Sequence, residues 1–240
     1  MQNKKEKIWL LLECFIAVAV PVVWLNMFFQ KGSGSMLSSP GVRSLRYYTV
    51  LSNLVAGAAS WWCLISYAAG RRKAGRAGRP ADRPRNRDAG GEPLSRGSFR
   101  LRFVGTVMVS TTFLTVLLFF LPIFGWGRLY AGTNFWFHLV IPLASMAGFF
   151  LLPGSRRLSF KETLLPILPV LAYGVFYSVN IMINGKGSWP NTNDWYGFLI
   201  WGWAVGWCIF AGIAAATWGA GMTVRALWHR ICQSNSRQQD

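Results

Sequence analysis

Residues 8–29 read IWLLLECFIAVAVPVVWLNMFF, an apolar run in which Glu13 is the one charged side chain. A helix of about 20 apolar residues crosses the roughly 30 Å of hydrocarbon in a bilayer, so this run is long enough to span a membrane. Five more runs share this character, at residues 45–69, 103–124, 135–152, 164–183 and 196–218. With 52% hydrophobic and 14% charged residues, the chain is too apolar for an ordinary soluble domain. The sequence therefore predicts an all-α membrane protein, a single domain built as a bundle of six transmembrane helices.

The net charge of +17 is distributed unevenly along the chain. If the N-terminus lies in the cytoplasm, 20 of the 25 Lys and Arg residues fall on the cytoplasmic side, in residues 4–7, 71–102, 156–161 and 225–237. This asymmetry follows the positive-inside rule. We therefore predict a multi-pass protein of the cell membrane, with the N-terminus and the C-terminal tail 229–240 in the cytoplasm.

Much of the basic charge lies in the segment Gly70–Gly97, which is rich in Arg, Gly, Pro and Asp. No aromatic residue interrupts this segment, which argues against nucleic acid as a partner. Its composition is typical of disorder. We expect a disordered cytoplasmic loop that attracts anionic lipid head groups.

Cysteine and histidine residues are few and scattered. The four cysteines include no close pair, so no disulfide framework is indicated. The two histidines, His138 and His229, do not have the spacing to other Cys, His or carboxylate residues that metal ligands have. We expect neither a bound metal nor a cofactor.

Small and polar residues mark the inner faces of transmembrane helices, because lipid offers them no hydrogen-bond partner. In the predicted second, fourth and fifth spans such residues recur at steps of three and four, which places them on one helical face. They are Thr49, Ser52, Asn53, Ala56 and Ser60; His138, Pro142 and Ser145; and Tyr173, Tyr177, Asn180 and Asn184. In the sixth span Gly202 and Gly206 form a G-x-x-x-G pair, which indicates close approach of a neighbouring helix.

The predicted topology places several of these residues at one depth. Thr49 and His138 each lie three or four residues into a helix that begins outside, within about 7 Å of the outer boundary of the hydrocarbon. Asn180 and Asn184 approach the same level at the end of the fifth span. We expect these side chains to meet near the outer head groups.

Two other polar positions belong to different layers. Asp194 is predicted in the last outer loop, beside aromatic residues that we expect at the interface, namely Trp189, Trp195 and Tyr196. Glu13 lies in the inner half of the first span, where we expect it to pair with Lys7.

Residues 44–54, SLRYYTVLSNL, and 137–142, FHLVIP, resemble the androgen-induced membrane protein family. This family includes the androgen-dependent TFPI-regulating protein and a bacterial branch of six-span relatives. Residues 195–199, WYGFL, resemble the segment that opens the last helix in relatives. The similarity extends over most of the chain except the Arg-rich loop. Gly197 stands where relatives often have proline, and Gly148 where bacterial relatives often have an acidic residue.

The resemblance implies hydrolysis of fatty acid esters of hydroxy fatty acids by an intramembrane threonine and a histidine, which by motif are Thr49 and His138. A threonine hydroxyl needs a base to become a nucleophile, and histidine suits that role near neutral pH. The polar residues nearest to this pair in the predicted bundle are Asn53, Asn180 and Asn184. We expect these to bind the substrate or its oxyanion. The expected partner is a membrane lipid, with a fatty acid ester as substrate.

Other function classes remain open on the sequence. An acyltransferase would use the same acyl chemistry with a different acceptor. The polar faces and the prolines within the spans also fit a small-molecule or ion transporter, although the two halves of the chain are not alike. A scaffold without chemistry is the third alternative.

Overall fold

The structure is a computed structural model that describes residues 2–30, 39–76, 94–154, 156–188 and 192–237. These residues form helices and connecting turns, and no strand occurs among them. Six of the helices are long and apolar enough to cross a membrane. The prediction of an all-α bundle of six transmembrane helices is confirmed.

The six long helices follow one another along the chain. They are α1 (Gln2–Phe29), α2 (Tyr48–Arg76), α3 (Arg96–Phe124), α4 (Thr133–Phe150), α5 (Ile167–Asn184) and α6 (Trp203–Arg237). A 3-10 helix, Gly41–Arg46, leads into α2, and another, Lys161–Leu164, precedes α5.

Several predicted boundaries differ from the structure. Helix α2 continues to Arg76 and α3 begins at Arg96, so both ends of the segment predicted as a disordered loop are helical. Its middle, residues 77–93, lies outside the described residues, as does the end of the tail at 238–240. The sixth span was predicted from residue 196, but α6 begins at Trp203. Gly197 and Gly202 have φ values of +71° and +90°, which a continuous helix does not accommodate.

Proline residues widen two of the helices near their outer ends. A π-helical turn at Val116–Phe120 precedes Pro122 in α3, and another at Trp136–Val140 precedes Pro142 in α4. Proline has no N–H to donate and its ring collides with the preceding turn, so the helix accommodates it by a local change of pitch. His138 lies within the widened turn of α4.

Helix α2 packs between α1 and α3, and α4 closes this group against α1 and α3. Helices α5 and α6 pair with each other, and α6 also contacts α3. Glycines allow the closest crossings, because a Cβ on Gly105 of α3 would lie 3.0 Å from the Cα of Ala56 in α2. The predicted pair Gly202 and Gly206 does not do this. Gly202 precedes α6, and Gly206 accommodates Leu199 of the preceding turn rather than another helix.

The buried apolar residues form two clusters, one toward each end of the bundle. The cluster at the Thr49 end includes Ile16, Val50, Phe137, Tyr177 and Phe198. The cluster at the opposite end includes Trp9, Tyr67, Phe103, Phe149 and Trp228. The polar residues described next lie within and between these clusters.

Candidate functional site

The predicted inner faces of α2 and α4 are buried in the structure. On α2 the side chains of Ser52, Asn53, Ala56 and Ser60 are fully buried, and Thr49 is 6% exposed. On α4 the buried residues include His138, Pro142 and Ser145. This part of the prediction is confirmed. On α5, Tyr173 and Tyr177 are buried, whereas Asn180 is half-buried and Asn184 is exposed.

Thr49 faces a narrow cavity of about 50 Å³ near the predicted outer end of the bundle. The walls come from α2, α3, α5, α6 and the loop before α6, and they include Thr111, Thr112, Thr115, Tyr173, Tyr196 and Phe210. Ser52 holds α3 in place here, because its Oγ lies 3.0 Å from the Oγ1 of Thr112. The Thr49 hydroxyl thus lies at the wall of a narrow, mainly apolar cavity.

The loop before α6 folds into the bundle rather than along the membrane surface. Trp195 is 9% exposed, and its indole Nε1 donates to the hydroxyl of Tyr173 at 3.0 Å. Tyr196 stacks against Tyr177 and Phe120, so the prediction that Trp195 and Tyr196 are interfacial aromatics is wrong. Trp189, the third of that group, lies outside the described residues.

Asp194 holds this loop in place from within. Its carboxylate accepts hydrogen bonds from the Tyr177 hydroxyl, at 2.5 Å, and from the backbone N–H of Leu199, at 3.2 Å. Lys186 adds an ion pair at 3.7 Å. Because the carboxylate is 1% exposed and fully partnered, it is a structural anchor that positions the aromatic residues beside Thr49.

The hydroxyl of Tyr196 lies beside Thr49 in the cavity wall. It accepts a hydrogen bond from the backbone N–H of Tyr48 at 3.0 Å, and the side chains of Tyr173 and Thr49 are within hydrogen-bonding reach. Burial raises the pKa of Tyr196 to about 12, against hydrogen bonds that lower it. The phenol therefore keeps its proton at physiological pH, so a protonated hydroxyl lies next to Thr49. Sequence reasoning missed this role, since the residue was assigned to the interface.

His138 is fully buried on α4, and its two ring nitrogens have different environments. Nδ1 lies 2.8 Å from the carbonyl oxygen of Leu129. Nε2 is buried and has no hydrogen-bond partner among the described residues. A carbonyl oxygen only accepts, so this contact requires the proton on Nδ1 and leaves a lone pair on Nε2 in the neutral ring.

Asn53 links helix α2, which carries Thr49, to helix α4, which carries His138. Its Nδ2 donates to the carbonyl of Thr49 at 2.7 Å and to the carbonyl of Phe137, which directly precedes His138, at 3.1 Å. Both N–H bonds of the amide are thereby used. The prediction that Asn53 donates to an oxyanion is not supported by this arrangement, and Asn53 instead fixes α2 against α4.

Thr49 and His138 are thus brought to the same level, on adjoining helices, without being hydrogen-bonded to each other. His138 is not among the residues that line the Thr49 cavity. Asn180 and Asn184 do not line this cavity either. They bond to each other at 3.0 Å beside a separate pocket on the rim.

In comparisons with protein-family models, curated proteins and solved structures, nothing matches the chain.

A second polar group lies deeper in the bundle, between the two apolar clusters. Glu13 is fully buried and pairs with Arg102 of α3, whose Nε lies 2.9 Å from Oε1, so the predicted partner Lys7 is wrong. The guanidinium also donates to Thr106, at 2.9 Å, and to the hydroxyl of Ser145, at 2.7 Å.

The sequence pattern places Arg102 on the cytoplasmic side, directly before the third predicted span at residues 103–124. A signal for its burial was present in the sequence. Polar residues recur at steps of four along α3, at Ser98, Arg102, Thr106 and Ser110, and all four are buried. This is the spacing of one helical face.

Proposed function

We propose that this chain is an intramembrane lipid ester hydrolase in which Thr49 is the nucleophile and His138 the general base. The observation that carries the proposal is the unpartnered Nε2 of His138, a buried basic nitrogen held in one tautomer by the Leu129 carbonyl. A base oriented through its other nitrogen is the arrangement that activates hydroxyl nucleophiles in acyl-transfer enzymes. The resemblance of residues 44–54 and 137–142 points to the same pair.

The reaction proceeds in two halves. Nε2 of His138 takes the Thr49 proton, directly once substrate is bound or through one water, and Oγ1 attacks the ester carbonyl. The alcohol leaves with the proton returned by His138, and the acyl group stays on Thr49. Water then attacks this acyl ester, His138 again relays the proton, and a fatty acid is released.

The charge that develops on the carbonyl oxygen needs a donor, and Tyr196 supplies it in this proposal. Its hydroxyl is protonated and beside Thr49, whereas the amide hydrogens of Asn53 are already used. The loss of one oxyanion donor lowers the rate of acyl transfer by about 10²–10³-fold. The apolar walls of the cavity fit the acyl chain of an amphiphile that enters from the bilayer.

The test is covalent labelling of the purified protein in detergent with an alkyl fluorophosphonate, which transfers its phosphonyl group to an activated hydroxyl and releases fluoride. We expect labelling of the wild type at Thr49, identified by peptide mass, and loss of labelling in Thr49→Ala and His138→Ala. Thr115→Ala removes another cavity threonine and serves as the matched control, with labelling retained.

Release of fatty acid from a hydroxy fatty acid ester is the second readout. We expect Tyr196→Phe to reduce turnover while Thr115→Ala does not. Equal labelling of the wild type and Thr49→Ala, or hydrolysis that survives Thr49→Ala, would show that another group reacts.

A further inference from the structure

A second pocket, of about 230 Å³, opens on the same end of the bundle as Thr49. Its lining residues come from the turn before α2, from α5 and from the loop before α6, and they are Arg43, Arg46, Phe176, Asn180, Asn193 and Trp195. No acidic side chain is among them. The pocket is thus positively charged at the rim of a membrane-spanning bundle.

Arg46 is held rigidly in this pocket. Its Nη2 donates to the Ser39 hydroxyl at 3.1 Å and to the Tyr47 hydroxyl at 2.9 Å. The guanidinium also lies over the rings of Tyr47 and Trp195, at 5.0 Å and 5.3 Å from their centroids. Its Nε is buried and has no partner within the described residues.

Asn180 presents a second unused donor. Its Oδ1 accepts from Asn184 at 3.0 Å, and this bond fixes the orientation of the amide. The Nδ2 atom is therefore the free end, and it too is buried without a partner in the described part of the chain. Buried donors without partners are uncommon in native proteins, because a polar group loses its bonds to water when it is buried.

The neighbouring polar residues do not satisfy these donors. Asp194, the carboxylate closest along the chain to Trp195, is engaged by Tyr177, Leu199 and Lys186. The Nδ2 of Asn193 donates to the carbonyls of Asn184 and Gly185, so Asn193 forms a wall. Arg43 is exposed at the mouth and adds a second positive charge.

We propose that this pocket binds the anionic head group of a membrane lipid, with its phosphate or carboxylate on Arg46, Asn180 and Arg43. Guanidinium and amide donors that converge are the groups that bind such oxyanions. The pocket borders the lipid-facing surface of α5, since Phe176 in its wall is 49% exposed and Val179 and Ile183, farther along α5, are 43% and 75% exposed. An acyl chain lies along this apolar surface while the head group occupies the pocket, which favours a lipid over a free anion.

The test is equilibrium binding to the purified protein in a neutral detergent, by native mass spectrometry and ligand-dependent thermal stabilisation. Dioctanoyl phosphatidic acid, dioctanoyl phosphatidylcholine, decanoate and inorganic phosphate are the four probes. We expect phosphatidic acid to bind at least about tenfold more tightly than phosphatidylcholine, with affinity that falls as salt is added. Decanoate as the stronger ligand would assign the site to a carboxylate lipid.

Variants of arginines inside and outside the pocket distinguish binding in the pocket from attraction to the overall positive charge of the protein. Arg43 is exposed, so Arg43→Gln removes a charge and leaves the packing intact. Arg46→Lys keeps the charge but removes the planar guanidinium and its paired N–H donors. We expect each to weaken binding of phosphatidic acid by about tenfold or more. Arg128→Gln, at an exposed arginine outside the pocket, is the matched control and retains wild-type affinity.

Equal affinity for phosphatidic acid and phosphatidylcholine, or equal losses in Arg128→Gln and Arg43→Gln, would overturn the proposal. Competition by inorganic phosphate at the same concentration as the lipid would overturn the assignment to a lipid. The assay measures binding alone, so its outcome is independent of whether Thr49 reacts.

Discussion

Asn53 illustrates what a single amide does inside a membrane bundle. Its two N–H bonds donate to the carbonyls of Thr49 and Phe137, which lie 4 and 84 positions from it along the chain. A hydrogen bond of this kind contributes about 1 kcal/mol net, and more is lost when one partner is left buried and unpaired. Ser60 lies on the same face of α2 and is equally buried, yet its hydroxyl has no partner in the described structure.

The two residues form a matched pair for mutagenesis. We expect Asn53→Ala to lower the free energy of unfolding by about 1–3 kcal/mol, because the Phe137 carbonyl loses this donor and the Thr49 carbonyl keeps only the Ser52 hydroxyl as a side-chain donor. Ser60→Ala removes a hydroxyl that has no hydrogen-bond partner among the described residues, so we expect its effect to stay within about 0.5 kcal/mol. Denaturant or thermal unfolding in detergent measures both. A larger effect for Ser60→Ala would contradict this account of the α2 face.

Among the helices, the buried ion pair is the main polar contact between α1 and α3. All the contacts of Arg102 are made inside the bundle, to Glu13, Thr106 and Ser145. Two opposite charges out of water are tolerated only with such complete hydrogen bonding, and removal of one partner costs about 3–5 kcal/mol. Because the pair is fully satisfied, its role is to fix the packing of α1, α3 and α4.

Gly148 of α4 makes a sharper test possible. A Cβ at this position would lie 2.9 Å from Nη2 of Arg102 and 3.0 Å from Oε1 of Glu13, so a carboxylate added here would lie against the guanidinium, which must shift slightly to admit the new Cβ. We expect Glu13→Ala to be destabilised by about 3–5 kcal/mol, and Glu13→Ala/Gly148→Asp to regain much of this loss.

The neutral double variant Glu13→Ala/Gly148→Asn is the control, since it restores the volume but not the charge. Thermal unfolding of the four proteins in detergent compares them. Equal stability of the Asp and Asn double variants would show that packing rather than charge pairing holds α1 against α3.

For the whole molecule, charge and polarity are arranged by depth. The Thr49 end contains the cavity, the aromatic loop and the basic rim pocket, while the Glu13–Arg102 pair lies between the two apolar clusters. Most basic residues lie toward the other end, which the positive-inside rule places in the cytoplasm. This orientation is a prediction, and it puts the proposed active site in the outer half of the bilayer.

Single cysteines introduced into a variant without the four native ones test the orientation. Arg128→Cys and Ser188→Cys lie at exposed positions in the connections predicted outside, and Arg157→Cys in one predicted inside. We expect a membrane-impermeant maleimide to label the first two in intact cells and the third only after permeabilisation. The reverse pattern would place Thr49 in the cytoplasmic half instead.

Sequence pattern alone predicted the six helical spans and most of their inner faces. Apolar length and the recurrence of polar residues at steps of three and four are local properties, and they were sufficient to predict the burial of Ser52, Asn53 and His138. The candidates Thr49 and His138 came from the resemblance of residues 44–54 and 137–142 to a known family. Local pattern also failed where it was the only guide, at residues 196–202, which are apolar but form turns.

The contacts between polar groups of different helices became known from the three-dimensional packing. The partner of Glu13 is Arg102, that of Asp194 is Tyr177, and Asn53 joins α2 to α4, and each pairing depends on how helices pack in three dimensions. Tyr196 was expected at the membrane interface but lines the Thr49 cavity in the structure. Asn180 and Arg46 line the separate pocket on the rim. Spacing along one helix predicts which of its residues share a face. The residues that pack against that face come from distant parts of the chain, so their identity depends on the tertiary packing.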